Sequence, residues 1–343
     1  MAEELRVGII GAGRIGTLHA QNISRHIPRA RVVVVADPRV ACARAAAATS
    51  NAGDAVADAH DVLRRKDVDA VVICSSTDTH ARLIREAAAA GKHIFCEKPI
   101  DHDIAEIHRA LQAVDQAGVC LQVGFNRRFD PDFKALANRI RAGKIGEPQI
   151  LRITSRDPAP PPADYIRVSG GLFMDMTIHD FDMARYLVQQ PVVEVFAIAS
   201  CHDAAIAATG DVDTAVIVMR FAGGGLCCID NSRRTFYGYD QRIEAFGSAG
   251  CLTVPNRTPT RVEAWDERGQ HRDKPQDFFL ERYCESYIAE MQEFVEYVRR
   301  GRAPCVGGDD GLQAVLLAHA AQVSYAENRP VAMQESATGV DAA

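Results

Sequence analysis

Apolar residues in the first third of the chain come in short runs that end at glycines, and each run is followed by a stretch with helical spacing. "RVGIIGAG" is apolar up to its glycines, and "RIGTLHAQNISRH" follows with Ile15, Leu18 and Ile23 at helical intervals. "ARVVVVADP" and "VDAVVICSS" are β-branched runs without polar alternation, as expected when both faces of a parallel sheet are covered. "HARLIREAAAAG" reads as a helix stopped by Gly91. "KHIFCEKP" and "VCLQVGFNRRF" read as two further strands on either side of the helix "DIAEIHRALQAVDQAG". Such alternation predicts a doubly wound α/β domain with a parallel sheet over residues 1–125.

From residue 126 the texture changes. The helix "DPDFKALANRIRAGKIG" leads into β-like runs: "PQILRITSRD", "VVEVFAIASC", "DTAVIVMRFAGG", "GLCCIDNSRR", "QRIEAFGSAGCLTV" and "TRVEAWDERG". Glycine-bearing turns between them predict a large, mostly antiparallel sheet, so the second domain, 126–333, is α+β. Two helical patterns close the domain, "YIAEMQEFVEYVRRG" and "DGLQAVLLAHAAQVSYAENR". The last residues, 334–343, are small and polar and are expected to be a disordered tail.

Composition narrows the function classes. With 343 residues, 47% of them apolar, and a net charge of −6, the chain has material for two cores and no basic footprint for nucleic acid or anionic lipid. No apolar run approaches the roughly 18 residues needed to span a bilayer. The N-terminus runs directly into a strand, leaving no signal peptide in this reading. The ten cysteines form no C-x-x-C pair, and many sit in apolar runs such as "AVVICSS". They read as small buried hydrophobes of a cytoplasmic protein, with no metal site.

Chemistry enters at the glycines. "GIIGAGRIG" carries Gly11-x-Gly13-x-x-Gly16 between a strand and a helix. Gly11 permits the tight turn, Gly13 lets the backbone approach a pyrophosphate, and Gly16 allows close packing at a helix start opened by Arg14 and Ile15. Asp37 ends the next strand about 20 residues on, where a carboxylate can accept ribose hydroxyls and disfavour a 2′-phosphate; the predicted cofactor is therefore NAD. Ser75, Ser76 and Thr77 in "CSSTDTH" can bond ribose or phosphate, with His80 beside them, or the segment can serve as a helix cap. "CEKP" places Glu97 and Lys98 at a further strand end on the cofactor side.

"GGLFMDMTIHDF" puts Asp175 and His179 four residues apart, on one face of a helix that Gly170 and Gly171 precede. Together with GxGxxG and "EKP", this pattern resembles the glucose–fructose oxidoreductase/inositol dehydrogenase (Gfo/Idh/MocA) family over nearly the whole chain, and "TSRDPAPPPADY" with "DMTIHDFDMARYL" most resembles its inositol 2-dehydrogenases. The resemblance implies a Rossmann domain followed by an open-sheet domain that forms a homo-oligomer, often a tetramer. It also implies a catalytic set matching Lys98, Asp175 and His179, and a cyclic polyol substrate such as myo-inositol. In that reading His179 is the general base, Asp175 holds an adjacent hydroxyl and supports the imidazolium, and Lys98 orients and polarises the reacting hydroxyl.

A polyol requires a ring of donors and acceptors. Asn126 and Arg127 in "FNRRF", Asp157 ahead of the prolines, and Tyr237 or Tyr239 in "TFYGYDQR" are the candidates, beside Lys98, Asp175 and His179. Dehydrogenation of another cyclitol or of an aldose is the nearest alternative, and a non-catalytic dinucleotide sensor is the alternative of a different class.

Overall fold

The structure is a computed structural model and describes residues 4–333. The chain divides into two compact units: the first runs to Phe129 and adds Glu285–Val315, and the second takes Asp130–Cys284 and the chain from Leu316. The sequence pattern had assigned both closing helices to the second domain. Helix Cys284–Arg300 instead returns to the first unit, where its apolar stripe of Met291, Phe294 and Val295 joins the core formed by Ile9, Val72 and Phe95. An amphipathic helix must bury its stripe, and local spacing does not say against which core.

In the first unit, strands β1 (Leu5–Ile10), β2 (Ala30–Ala36), β3 (Asp54–Val56), β4 (Ala70–Ile73), β5 (His93–Cys96) and β6 (Leu121–Val123) form a sheet of order β3-β2-β1-β4-β5-β6. Every neighbouring pair is parallel. This is the predicted doubly wound sheet, with β3 added by a segment too polar to read as a strand. Its order reverses between β1 and β4, and ligands of such sheets bind at the carboxyl ends of strands beside that reversal. The Gly11 turn ends β1, and Cys74–Thr77 follow β4.

In the second unit, β7 (Pro148–Arg156), β8 (Val192–Ser200), β9 (Thr214–Phe221), β10 (Leu226–Ser232), β11 (Asp240–Gly247) and β12 (Gly250–Val254) make a broad sheet. Strands β13 (Glu263–Asp266) and β14 (Gly269–Arg272) pair only with each other, and β15 (Val331–Ala332) completes the broad sheet, of order β12-β11-β7-β10-β9-β8-β15. All its pairs are antiparallel except β7 with β10. One face is buried, with Ile153, Ile229, Ile217 and Met219 at 3% exposure or less. The other face leaves apolar residues in solvent, among them Ile198, Val216, Val218, Leu226 and Phe246.

All ten cysteines are free thiols. Cys96 and Cys227 are buried as expected, whereas Cys251, Cys284 and Cys305 are exposed, because they fall at an edge strand, a helix start and a loop rather than inside a sheet. No helix among the described residues is long and apolar enough to cross a membrane.

Candidate active site

The dinucleotide half is built in the first unit. Gly11 has φ +96°, and a Cβ there would stand 2.5 Å from the Cys74 carbonyl oxygen, so the turn admits no side chain. At Gly16 a Cβ would run into the Gly11 carbonyl oxygen, which lets the helix start press onto the loop. Gly13 is different: a Cβ would meet no protein atom within 4 Å. The space in front of Gly13 therefore lies open to a ligand, and packing does not explain a glycine here. Gly13 caps the helix Arg14–His26, no side chain takes up the first amides, and no acidic residue stands in the first turn. Such an end is suited to a pyrophosphate.

Asp37 is 6% exposed. Its Oδ2 accepts from the Ala12 amide at 2.9 Å and its Oδ1 from the Arg39 amide at 2.8 Å. The carboxylate thus fixes the glycine turn, and each oxygen keeps a lone pair for a ribose hydroxyl. Ser75 and Thr79 share a hydroxyl hydrogen bond of 2.6 Å, and no side chain caps the helix His80–Ala89. Capping was one of two readings of this segment, and neither Thr77 nor Asp78 performs it. His80 is buried, with Nδ1 2.8 Å from the Pro99 carbonyl and Nε2 3.0 Å from the Ser75 carbonyl. It braces the two strand ends against each other, and both ring nitrogens face the protein.

Behind Lys98 lies a buried polar cluster that the sequence pattern did not disclose. Glu97 Oε1 stands 2.7 Å from His19 Nε2, and His19 is wedged edge-on against Phe95 and Tyr287. Glu290 Oε1 is 3.9 Å from the same nitrogen. Burial, and then the charge of Glu97, push the Glu290 carboxyl well above the usual range. His19, Cys74 and Glu97 bring one donor atom each within 4.8 Å of one another. Burial pushes the Cys74 thiol well up. The His19 contact fixes Glu97, the residue that leads into Lys98.

In the same unit Asn126, Arg127, Arg128 and Phe129 form a buried 3-10 turn. Asn126 accepts from Ser286 Oγ through its carbonyl, and Arg128 is paired with Asp310 at 2.8 Å.

The second unit carries Asp175 and His179. Between Leu172 and Ala184 every residue is buried except Asp175 and His179, which are partly exposed. Asp175 sits in a π-helical turn, Phe173–Thr177, that opens into the helix Ile178–Val188. The sequence spacing had implied an uninterrupted α-helix. Side chains accompany the wider turn: the Thr177 hydroxyl lies 3.4 Å from the Leu172 carbonyl, five residues earlier, and 2.5 Å from Asn231 Oδ1. Asn231 also donates to Asp180 Oδ2 at 2.8 Å, which ties the helix to β10. Phe173, Ile178, Phe181 and Leu187 are buried, and so is Asp182.

Two residues that went unrecognised in the sequence hold the Asp175 carboxylate. The Tyr165 hydroxyl donates to Oδ1 at 2.9 Å, and Arg233 Nη1 donates to Oδ2 at 3.3 Å. Tyr165 lies in the proline-rich segment, ten positions upstream by number, and Arg233 directly follows β10.

The other polyol candidates are dispersed over the second unit. Asp157 follows β7, and its amide donates to the Ser232 carbonyl. Tyr239 is 7% exposed and packs edge-on against Tyr283. Tyr237 donates to Asp240 Oδ2 at 2.7 Å and accepts from Arg156 Nη1 at 3.1 Å. Arg156 in turn pairs with Asp230. These partners engage the Tyr237 hydroxyl, and burial with the Asp240 contact raises its pKa.

Comparison with known proteins agrees with both halves. Residues 5–125 match the model of an oxidoreductase family with an NAD-binding Rossmann fold, and residues 133–253 match the GFO/IDH/MocA C-terminal domain. The chain is 49% identical over 332 residues to a myo-inositol 2-dehydrogenase of Thermotoga maritima, covering 96% of this chain and 99% of that protein. It is similar to the myo-inositol dehydrogenase of Lactobacillus casei solved with NAD(H) and myo-inositol, with a TM-score of 0.88, 25% identity and 96% of each chain covered. It is also similar to the scyllo-inositol dehydrogenase of the same organism solved with NAD(H) and scyllo-inositol, with a TM-score of 0.91, 29% identity, and 97% and 100% of the chains covered. With its glycine turn, its Asp37 and its helix-borne Asp175 and His179, the chain belongs to the Gfo/Idh/MocA family of NAD-binding oxidoreductases.

Proposed function

We propose that the protein oxidises myo-inositol at its axial hydroxyl to the 2-keto product, with NAD as the acceptor. The observation that carries this reading is the helix that buries all its neighbours yet presents Asp175 and His179, in a chain whose relatives act on inositols. Gly13, the uncapped helix start and Asp37 would hold the cofactor, which when bound accepts a hydride from carbon.

The protein must then remove the hydroxyl proton as the C–H bond breaks and the C=O bond forms. His179 Nδ1 is buried, so Nε2 takes that proton. Asp175 accepts a hydrogen bond from a neighbouring hydroxyl and faces the imidazolium that forms. Lys98 donates to the reacting oxygen. Asn126, Arg127 and Asp157 contact the remaining hydroxyls. Tyr165 supplies the tyrosine of the site in place of Tyr237 or Tyr239, because its hydroxyl already touches Asp175.

The exposed apolar face of the broad sheet is the surface through which copies of the chain assemble, as a tetramer in this reading. Val216 and Val218 on β9, Leu226 on β10, Ile198 on β8 and Phe246 on β11 are exposed apolar side chains gathered on this one face, and clustered exposed apolar side chains mark interaction surfaces.

His179→Ala tests the chemistry: kcat falls by about two orders of magnitude or more with NAD binding retained. Unchanged turnover would remove His179 from the mechanism.

A further inference from the structure

Arg233 is among the largest fully buried side chains of the described residues, at 1% exposure. A guanidinium is seldom buried without paired charge, since stripping it of water costs several kcal/mol. Here two carboxylates face it. Nη1 is 3.3 Å from Asp175 Oδ2, and Nη2 is 3.6 Å from Asp211 Oδ2, an ion pair too long for a hydrogen bond. The position is fixed from the main chain as well, because the Arg233 amide donates to the Asp213 carbonyl at 2.8 Å.

Asp211 ties the other end of the arrangement to the helix that carries the acid–base pair. Its Oδ1 accepts from the Leu172 amide at 3.1 Å, one residue before the π-helical turn. The preceding residue, Gly171, has φ +82°, and a Cβ there would stand 2.7 Å from the same oxygen. The loop before β9, the residue after β10 and the start of the helix therefore meet at one guanidinium. Tyr165 closes the opposite side of Asp175, so both carboxylate oxygens are directed by the protein.

We infer that Arg233 is a positioning residue for Asp175: it holds the carboxylate in the orientation used during hydride transfer, and through Asp211 it locks the helix start that carries it. The inference rests on the catalytic reading of Asp175 given above. Arg233 acts on turnover through Asp175 and makes no contribution to holding the cofactor. A surface arginine would not require two carboxylates and a side-chain-free Gly171 around it.

The test is a double-mutant cycle on the full-length enzyme with NAD and myo-inositol, using Arg233→Met, Asp175→Asn and the double variant. Misplacement of a reacting group costs about 100-fold, so Arg233→Met lowers kcat by that order with the KM for NAD within about threefold of wild type. In the Asp175→Asn background the same change costs less than about threefold, because its target is already disabled. Arg233→Lys, which keeps the charge without the fork, recovers about tenfold over Arg233→Met. It replaces that variant in the cycle should Arg233→Met not fold. An equal loss from the Arg233 substitution in both backgrounds means that the arginine serves the fold alone and overturns the inference. Wild-type turnover by Asp175→Asn instead overturns the catalytic reading of Asp175 and removes the ground for this one with it.

Discussion

His19 and Glu290 are both fully buried, and Nε2 of the histidine lies 3.9 Å from Oε1 of the glutamate. The nearer partner of that nitrogen is Glu97, the residue before Lys98. A second carboxylate so close to Glu97 is tolerated because it is held neutral, and this makes the cluster a source of pH-dependent stability.

Glu290 has its carboxyl raised well above 4.5, first by burial and then by the charge of Glu97. The folded state therefore binds the proton more tightly than the unfolded chain does. The sign follows: Glu290 imposes no cost below its unfolded value, and stability falls as pH rises above it, until the folded-state pKa is passed. Each pH unit in that window costs up to about 1.4 kcal/mol. Glu290→Gln keeps the shape and removes the proton, so thermal denaturation followed across pH shows a flatter profile for the variant and a higher Tm at the alkaline end. Parallel wild-type and variant profiles would mean that Glu290 is ionised in the folded protein.

Gly13 and Gly171 predict opposite phenotypes from the same substitution. A Cβ on Gly13 meets no protein atom within 4 Å, whereas one on Gly171 meets Asp211 in a left-handed backbone conformation. Gly171→Ala is expected to lose about 1–3 kcal/mol of stability, read by chemical denaturation. Gly13→Ala keeps wild-type stability and weakens NAD binding by about tenfold or more, since the methyl group enters the space a pyrophosphate would take. Equal NAD affinity in Gly13→Ala and wild type would show that the cofactor does not approach this turn.

Val218 lies 42% exposed in the middle of the open sheet face, between Cys228 of β10 and Phe196 of β8. If that face joins copies of the chain, Val218→Glu buries an unpaired charge in the interface. Light scattering should then report a smaller species than wild type at the same concentration. A wild-type protein that is already monomeric contradicts the assignment.

The sheets were readable because their strands carry local signals. The β-branched runs of β2 and β4 announce a parallel sheet, and the glycine-bearing turns between the later β-like runs announce a mostly antiparallel one. The glycine turn, Asp37, Asp175 and His179 were readable for a similar reason: each lies at a strand end or on a helix face whose spacing is explicit. Tyr165 and Arg233 were not. Tyr165 follows prolines that carry no periodicity, and Arg233 stands beside Arg234 with nothing to distinguish a fully buried guanidinium from an exposed one. Their roles exist only once loops distant in sequence converge on Asp175. The return of helix Cys284–Arg300 to the first unit was hidden in the same way, and so was the π-helical turn, whose Thr177 bonds Asn231 of β10. Residues 334–343, expected to be a tail, lie outside the described residues.

The most direct measurement is the initial rate of NADH formation by the purified protein with NAD, against myo-, scyllo- and D-chiro-inositol, glucose, galactose and xylose. The highest kcat/KM for myo-inositol is the predicted result. An aldose preferred over every inositol, or no NADH formed from any polyol by protein that still binds NADH, would contradict it.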